Sequence, residues 1–150
     1  MTVAVAICPL AGAGETRFRG PATVIDGDTI HVAGRRVRLA GMDAFEHGQR
    51  CRDGAPCGRI ATVELKSLID GRPVACESQS KDRYGRTIAT CRTEAGEDLG
   101  GWMVTNGHAL AYRKYSKKYV AEEEAAREAG AGAWARGFDA PWLYRRGARK

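Results

Sequence analysis

Asp28, Arg38, Asp43, Glu46 and Arg86 are the side chains in this sequence whose types and spacing could do chemistry together. Asp28 lies in "VIDGDTI", where Asp26-Gly27-Asp28 has a plain reading as a hairpin turn. Its other reading is a hard oxygen ligand for a divalent cation, which gains weight only if further carboxylates come near. Asp43 and Glu46 supply them: both follow a neighbouring strand in "RVRLAGMDAFE", so one small sheet could gather all three acids. Such a site would be of the Ca²⁺ type rather than the zinc type, because His31 and His47 lack any tight ligand spacing, and neither is assigned a role. Arg38 and Arg86 alone would be two solvated arginines. Beside a cation and acids they suit phosphate, which a planar guanidinium grips through paired hydrogen bonds. Phosphoryl transfer needs a metal, cationic donors for charge developing on phosphate, and a carboxylate that positions or deprotonates water. This chain offers one of each kind.

The elements that would have to position these groups are legible in outline. Val24, Ile30, Val32, Val37 and Leu39 give the stretch after Gly20 strand character, with a turn at Gly34. "GRIATVELKSLIDG" reads as a helix with Ala61, Leu65 and Leu68 on one face and Gly71 as its stop. "RPVACES" and "RTIATCR" are strands around the charged turn "QSKDRYG". "EDLGGWMVTNG" reads as a short helix with Leu99, Trp102 and Met103 on one side, and "HALAYRKY" as a last short strand. The third helix, through "AEEEAAREA", takes Ser116 as its N-cap and carries acids where the helix dipole favours them. The tail "GFDAPWLYRRGARK" packs two aromatics back on the domain and ends in a basic run. Strands first, one inserted helix and helices at the end make a small barrel-like α+β fold.

At 150 residues the chain is expected to be one domain. A hydrophobic content of 43% and a charged content of 28% exclude a disordered or membrane-spanning class. Twenty-four Lys and Arg against 18 Asp and Glu leave a net charge of +6, which suits a polyanionic partner but also simple solubility. No apolar run reaches the roughly 18–20 residues of a membrane span. Residues 1–17 form an N-terminal apolar segment resembling the hydrophobic part of a secretory signal, with Ala11-Gly12-Ala13 as its cleavage site, although a positive n-region is missing. Processing there would remove Cys8 and leave Cys51, Cys57, Cys76 and Cys91, an even set that in an exported protein implies disulfides. Cys51 and Cys57 end a short loop that can close on itself. Cys76 and Cys91 lie equally far from the turn in "KDRYGR", so a hairpin would place them opposite each other. A four-cysteine metal site is the competing reading, and no C-x-x-C pair supports it.

The motifs "VIDGDTI", "RLAGMDAFE", "KDRYGR", "NGHALAY" and "AEEEAAREAGAGAW" followed by "PW" resemble, in order, the thermonuclease (staphylococcal nuclease-like) family over Phe18 to Trp142. The resemblance implies a mainly β, α+β architecture: an OB-fold barrel of five strands with three helices over 18–142, leaving 143–150 as a basic tail. It implies a Ca²⁺-dependent endonuclease that hydrolyses phosphodiesters of DNA and RNA with little sequence preference, leaving 3′-phosphate and 5′-hydroxyl ends.

Residue by residue, Asp28 and Asp43 match the family's calcium carboxylates, and Ala44 a ligand that uses its backbone carbonyl. Glu46 matches the acid that addresses the attacking water, and Arg38 and Arg86 the arginines that contact the scissile phosphate. Arg83 and Tyr84 match positions flanking the nucleotide's 5′ side, and either Tyr112 or Tyr115 a nucleotide-stacking tyrosine. Asp26 matches a second acid near the metal, supporting rather than ligating. Phe45 departs from the pattern, since the family usually has proline before the catalytic glutamate; packing of Phe45 could replace the stiffness proline gives. The expectation is a secreted or periplasmic monomeric enzyme acting on DNA and RNA, preferably single-stranded, where stacking and backbone charge supply binding. The alternative is a catalytically weak or inactive nucleic-acid-binding module on the same barrel.

Overall fold

The computed structural model of the chain describes residues 16–148. The apolar run with Cys8 and Ala11–Ala13 lies outside the described residues. The long first strand, β1 (Thr16–Asp26), leads into a hairpin of β2 (Thr29–Val32) and β3 (Arg35–Leu39). Ala33 and Gly34 turn that hairpin with positive φ at both positions, 49° and 74°, the backbone a two-residue hairpin turn requires. A second hairpin joins β5 (Pro73–Lys81) to β6 (Thr87–Thr93) and sets Cys76 directly opposite Cys91. The strands close into a barrel in the order β1-β2-β3-β6-β5, antiparallel throughout except where β3 runs parallel to β6. Closure leaves these strands no free edge.

Alternation fills the barrel. Ile30, Val32, Val37, Leu39, Val74 and Ala89 are buried, while the alternating His31 and Arg36 are exposed. One end is covered by α1 (Cys57–Ile69), whose buried stripe is Ala61, Leu65 and Ile69. Leu68, expected on that stripe, is only partly buried, and the helix ends on Asp70 in a left-handed conformation (φ 50°) just before Gly71. Asp98 caps α2 (Leu99–Thr105) by accepting from the Gly101 N–H at 3.2 Å.

Beside the barrel, β4 (Met42–Ala44) and β7 (Ala109–Ala111) pair as a separate two-stranded sheet. The third helix, α3 (Val120–Ala129), starts after Tyr119 with no side-chain cap. Ser116 does not cap it: its hydroxyl accepts from the Lys118 N–H at 3.1 Å, closing a turn before the helix. A short 3₁₀ turn (Gly132–Ala135) follows. The tail then differs from expectation. Where three helices are expected, the basic tail carries a fourth, α4 (Pro141–Ala148), with proline at the first helical position where its missing N–H costs nothing. A second apolar cluster of Phe45, Cys51, Cys57, Leu110 and Ala133 sits under this end of the chain. Disulfides join Cys51 to Cys57 within it and Cys76 to Cys91 across the β5–β6 hairpin.

Candidate active site

Pairing within the β2–β3 hairpin builds the first half of the site. Thr29 lies opposite Arg38, and the Leu39 N–H donates to the Asp28 carbonyl at 2.8 Å, so the turn carrying Asp28 sits against the end of β3. Gly41 then reverses the chain at φ 77°, with the Tyr119 ring 3.2 Å from where a Cβ would be. The reversal delivers Asp43 and Ala44 on β4. The Ala44 N–H donates to Asp28 Oδ2 at 3.1 Å and the Thr29 hydroxyl donates to Asp28 Oδ1 at 3.0 Å, which orients the Asp28 carboxylate. Gly27 serves close packing rather than turn conformation: a Cβ there would meet the Ala44 and Ala61 methyls at 2.8 and 2.9 Å.

Arg38 joins the two aspartates. Its Nη2 donates to Asp43 Oδ1 at 3.3 Å and lies 4.0 Å from Asp28 Oδ2. Burial works to lower its pKa, but the two carboxylates outweigh that effect and the net shift is upward, so the guanidinium stays charged. Asp43 is 0% exposed, a position a carboxylate holds only when paired. Asp26 accepts the Asp28 N–H at 3.1 Å. Burial, then the Asp28 charge, pushes the Asp26 carboxyl up to about 6.

Glu46 is positioned by a turn whose lock the sequence did not disclose. Gln49, buried to 1%, accepts the Glu46 N–H through Oε1 at 3.1 Å and donates through Nε2 to the Asp139 carbonyl at 2.7 Å. The Gln49 N–H donates to the Glu46 carbonyl at 2.8 Å. Phe45 is buried beneath, edge-on to Phe138 at 5.1 Å, so packing fixes this turn where proline would otherwise restrict φ.

Arg86 immediately precedes Thr87, the first residue of β6, and Thr87 pairs with Val37, the neighbour of Arg38. Asp82 aims it: Arg86 Nε donates to Asp82 Oδ2 at 2.6 Å, and the Arg86 N–H donates to Oδ1 at 3.0 Å. Burial pushes Asp82 up, but the hydrogen bonds from Arg86 and Tyr84 bring it below the ordinary carboxylate range. Arg83 and Tyr84 lie on the exposed tip of the same hairpin, with the Arg83 guanidinium 4.8 Å from the Tyr84 ring centroid. The candidate tyrosines separate clearly. Tyr112 is half-buried, 5.9 Å from the Arg38 guanidinium, whereas Tyr115 meets it edge-on at 4.9 Å and is 71% exposed.

A residue assigned only to the basic tail enters the centre. Arg145, on α4, donates through Nη1 to Asp43 Oδ1 (3.0 Å) and through Nη2 to Oδ2 (2.7 Å), and Nη1 also reaches Glu46 Oε1 at 2.6 Å. Hydrogen bonding to Asp43 raises its pKa against the opposing effect of burial, with Glu46 adding to the rise. Proline at position 141 starting a helix, with Trp142 and Arg145 three residues apart on one face, was the available signal.

Oxygen donors therefore converge here: the Asp28 and Asp43 carboxylates reach one guanidinium nitrogen, with the Ala44 carbonyl's residue hydrogen-bonded to Asp28. No group of three or more His, Cys, Asp or Glu among the described residues is placed to hold a metal ion alone. A hard cation held through two carboxylates, a carbonyl and water fits this donor set, because Ca²⁺ and Mg²⁺ both complete their shells with water.

Residues 36–136 match the protein family described as Staphylococcal nuclease homologue. The chain belongs to this family. Its relatives include the succinoglycan biosynthesis protein ExoI of Rhizobium meliloti (strain 1021), 40% identical over 130 residues covering 83% of this chain and 68% of that protein. A micrococcal nuclease of Shigella flexneri is 34% identical, covering 88% of this chain and 83% of the relative. An uncharacterized endonuclease of Escherichia coli O157:H7 is 33% identical, covering 81% and 80%. The closed five-stranded barrel with flanking helices is the architecture expected of the family. Among the described residues no helix is long and apolar enough to cross a membrane.

Proposed function

We propose that this protein is a Ca²⁺-dependent endonuclease that hydrolyses phosphodiesters of DNA and RNA with little sequence preference and leaves 3′-phosphate and 5′-hydroxyl ends. One observation carries the reading: Asp28, Arg38, Asp43 and Glu46 converge on one side of the barrel, with Arg86 directly before the adjoining strand β6. Membership of the nuclease family, with relatives named micrococcal nuclease and endonuclease, supports it.

Asp28, Asp43 and the Ala44 carbonyl would hold the calcium ion, which when bound supplies positive charge beside the phosphate oxygens. Arg38, already fixed by the two aspartates, presents N–H donors to a non-bridging oxygen. Arg86, held by Asp82 through Nε, keeps its two terminal nitrogens for the phosphate. Glu46 accepts a proton from the attacking water, in a turn clamped by Gln49 and Phe45. The water oxygen bonds to phosphorus as the P–O5′ bond breaks, which leaves phosphate on the 3′ side, and O5′ takes a proton from solvent to become the 5′-hydroxyl. Tyr84 beside Arg83 and Tyr115 beside Lys114, both exposed, offer rings and charge to unpaired bases, which favours single strands. The two disulfides suit an oxidising compartment, secreted or periplasmic.

A binding-only module is the second reading, and the retained Glu46 and Arg86 speak against it. Purified protein incubated with end-labelled single-stranded DNA and CaCl₂ at pH 7–10 should give 5′-hydroxyl fragments, and a calcium-selective chelator should stop the reaction. Absence of cleavage across that range would overturn the enzyme, and chelator-resistant cleavage would overturn the calcium.

A further inference from the structure

Two parts of α4 lie where ligands of the proposed site would go. Arg145 covers both oxygens of Asp43 with paired donors and takes one oxygen of Glu46. A cation seeking Asp43, or water seeking Glu46, meets a guanidinium already there. Three residues earlier, Trp142 lies parallel to Tyr112, with 10° between planes and 5.6 Å between centroids. That is how a base stacks on an aromatic side chain, and it covers one face of the tyrosine whose ring centroid lies 5.9 Å from the Arg38 guanidinium. Both groups share one face of the helix, so they arrive and leave together.

The attachment of α4 allows that departure. The chain before it is tied down as far as Asp139, whose carbonyl accepts from Gln49 and whose carboxylate pairs with Arg52 at 3.1 Å. Beyond Ala140 the helix has eight residues, of which Leu143 is 50% and Tyr144 37% exposed. Pro141 is its buried anchor, and Trp142 and Arg145 are its principal contacts with the site.

We propose that α4 is an autoinhibitory strap that imitates both ligands, Arg145 standing between Asp43 and Glu46 as a cation would and Trp142 standing on Tyr112 as a nucleobase would. The inference rests on the calcium and nucleic-acid reading above. A site competent only when the strap is off has its affinity reduced by the fraction of time it is off, so a strap closed about nine-tenths of the time weakens binding about tenfold.

Calorimetric titration of CaCl₂ into the full chain, with no nucleic acid, tests this on wild type, Arg145→Gln, Trp142→Ala and the outward-facing Leu143→Ala, each first checked for native circular dichroism. Trp142→Ala removes no charge, so a gain there cannot come from the lost field of a cation. The strap requires Ca²⁺ to bind about tenfold more tightly to both Arg145→Gln and Trp142→Ala, with Leu143→Ala unchanged. Tighter binding in Arg145→Gln alone would mean local charge and would overturn the strap. Equal, measurable affinities throughout would overturn the strap and leave the calcium reading standing, whereas no Ca²⁺ binding by any of the proteins would overturn both. Hydrogen exchange of the wild type needs no variant: amides of residues 142–147 should exchange faster once Ca²⁺ is bound, and unchanged or slower exchange contradicts the proposal.

Discussion

Gly58 packs against the carbonyl of Glu46 so closely that a Cβ on Gly58 would fall 1.7 Å from that oxygen. The first turn of α1 thus rests on the backbone of the proposed catalytic acid, and the Gly58 N–H donates to the Gln49 carbonyl at 3.0 Å. Glycine in a helix ordinarily costs about 1 kcal/mol relative to alanine. Here the sign reverses.

Gly58→Ala is therefore expected to destabilise the protein by about 1–3 kcal/mol, the usual cost of overpacking a filled site, and to cut cleavage by shifting Glu46. Urea unfolding and turnover check it together. A variant as stable and as active as wild type would show that α1 does not set the turn.

Removing either proposed chemical group should leave the fold and take the rate. Glu46→Gln and Arg86→Ala are each expected to lose about 10²–10³ in kcat, the usual cost of deleting one group from a preorganised site. Asp82→Asn should lose less, because Arg86 keeps its charge but not its 2.6 Å tether. Turnover at saturating single-stranded DNA reads all three, and near-wild-type kcat in Glu46→Gln would remove that residue from the reaction.

Stability should carry the titration of Asp26. Its folded pKa, raised to about 6, lies above the ordinary 3.8, so the folded protein binds this proton more tightly than the unfolded chain. The contribution is fully present below pH 3.8 and disappears as pH rises through about 6. Asp26→Asn should flatten that slope in chelator-treated protein and be the more stable form at neutral pH. Thermal unfolding between pH 4 and 7 measures it, and parallel profiles for the two proteins would contradict it.

The sequence disclosed this site unevenly. Alternating apolar residues in β2, β3, β5 and β6 set which faces turn inward, and the symmetric placement of Cys76 and Cys91 about a turn matched the hairpin register. The motif residues Asp28, Arg38, Asp43 and Glu46 come together because a strand pairing and one glycine reversal lie between them, short-range features that spacing expresses. Long-range contacts have no such trace. Gln49 is an ordinary polar residue in sequence and becomes a clamp only because Asp139 arrives 90 positions later. Arg145 was one more charge in a basic tail until α4 folded back across 102 positions to Asp43. Ser116 failed as a helix cap because the turn before α3 uses its hydroxyl first.

Breaking the Cys76–Cys91 bridge should cost about 3 kcal/mol, the loop-closure value for its separation of 15 residues. The Cys51–Cys57 loop, with a separation of 6, should cost less by that account but loosen the cluster under Phe45. Double serine variants compared by urea unfolding separate the two, and a larger loss from the shorter loop would show that packing, not chain entropy, governs it.

The central claim is that these residues cut nucleic acid internally with calcium. A circular single-stranded DNA has no ends, so only an endonuclease can open it. Wild-type protein with CaCl₂ should convert the circle to linear and shorter products, and Glu46→Gln or added calcium chelator should leave it closed. A circle left intact by the wild type in CaCl₂, or opened equally by Glu46→Gln, would contradict the account.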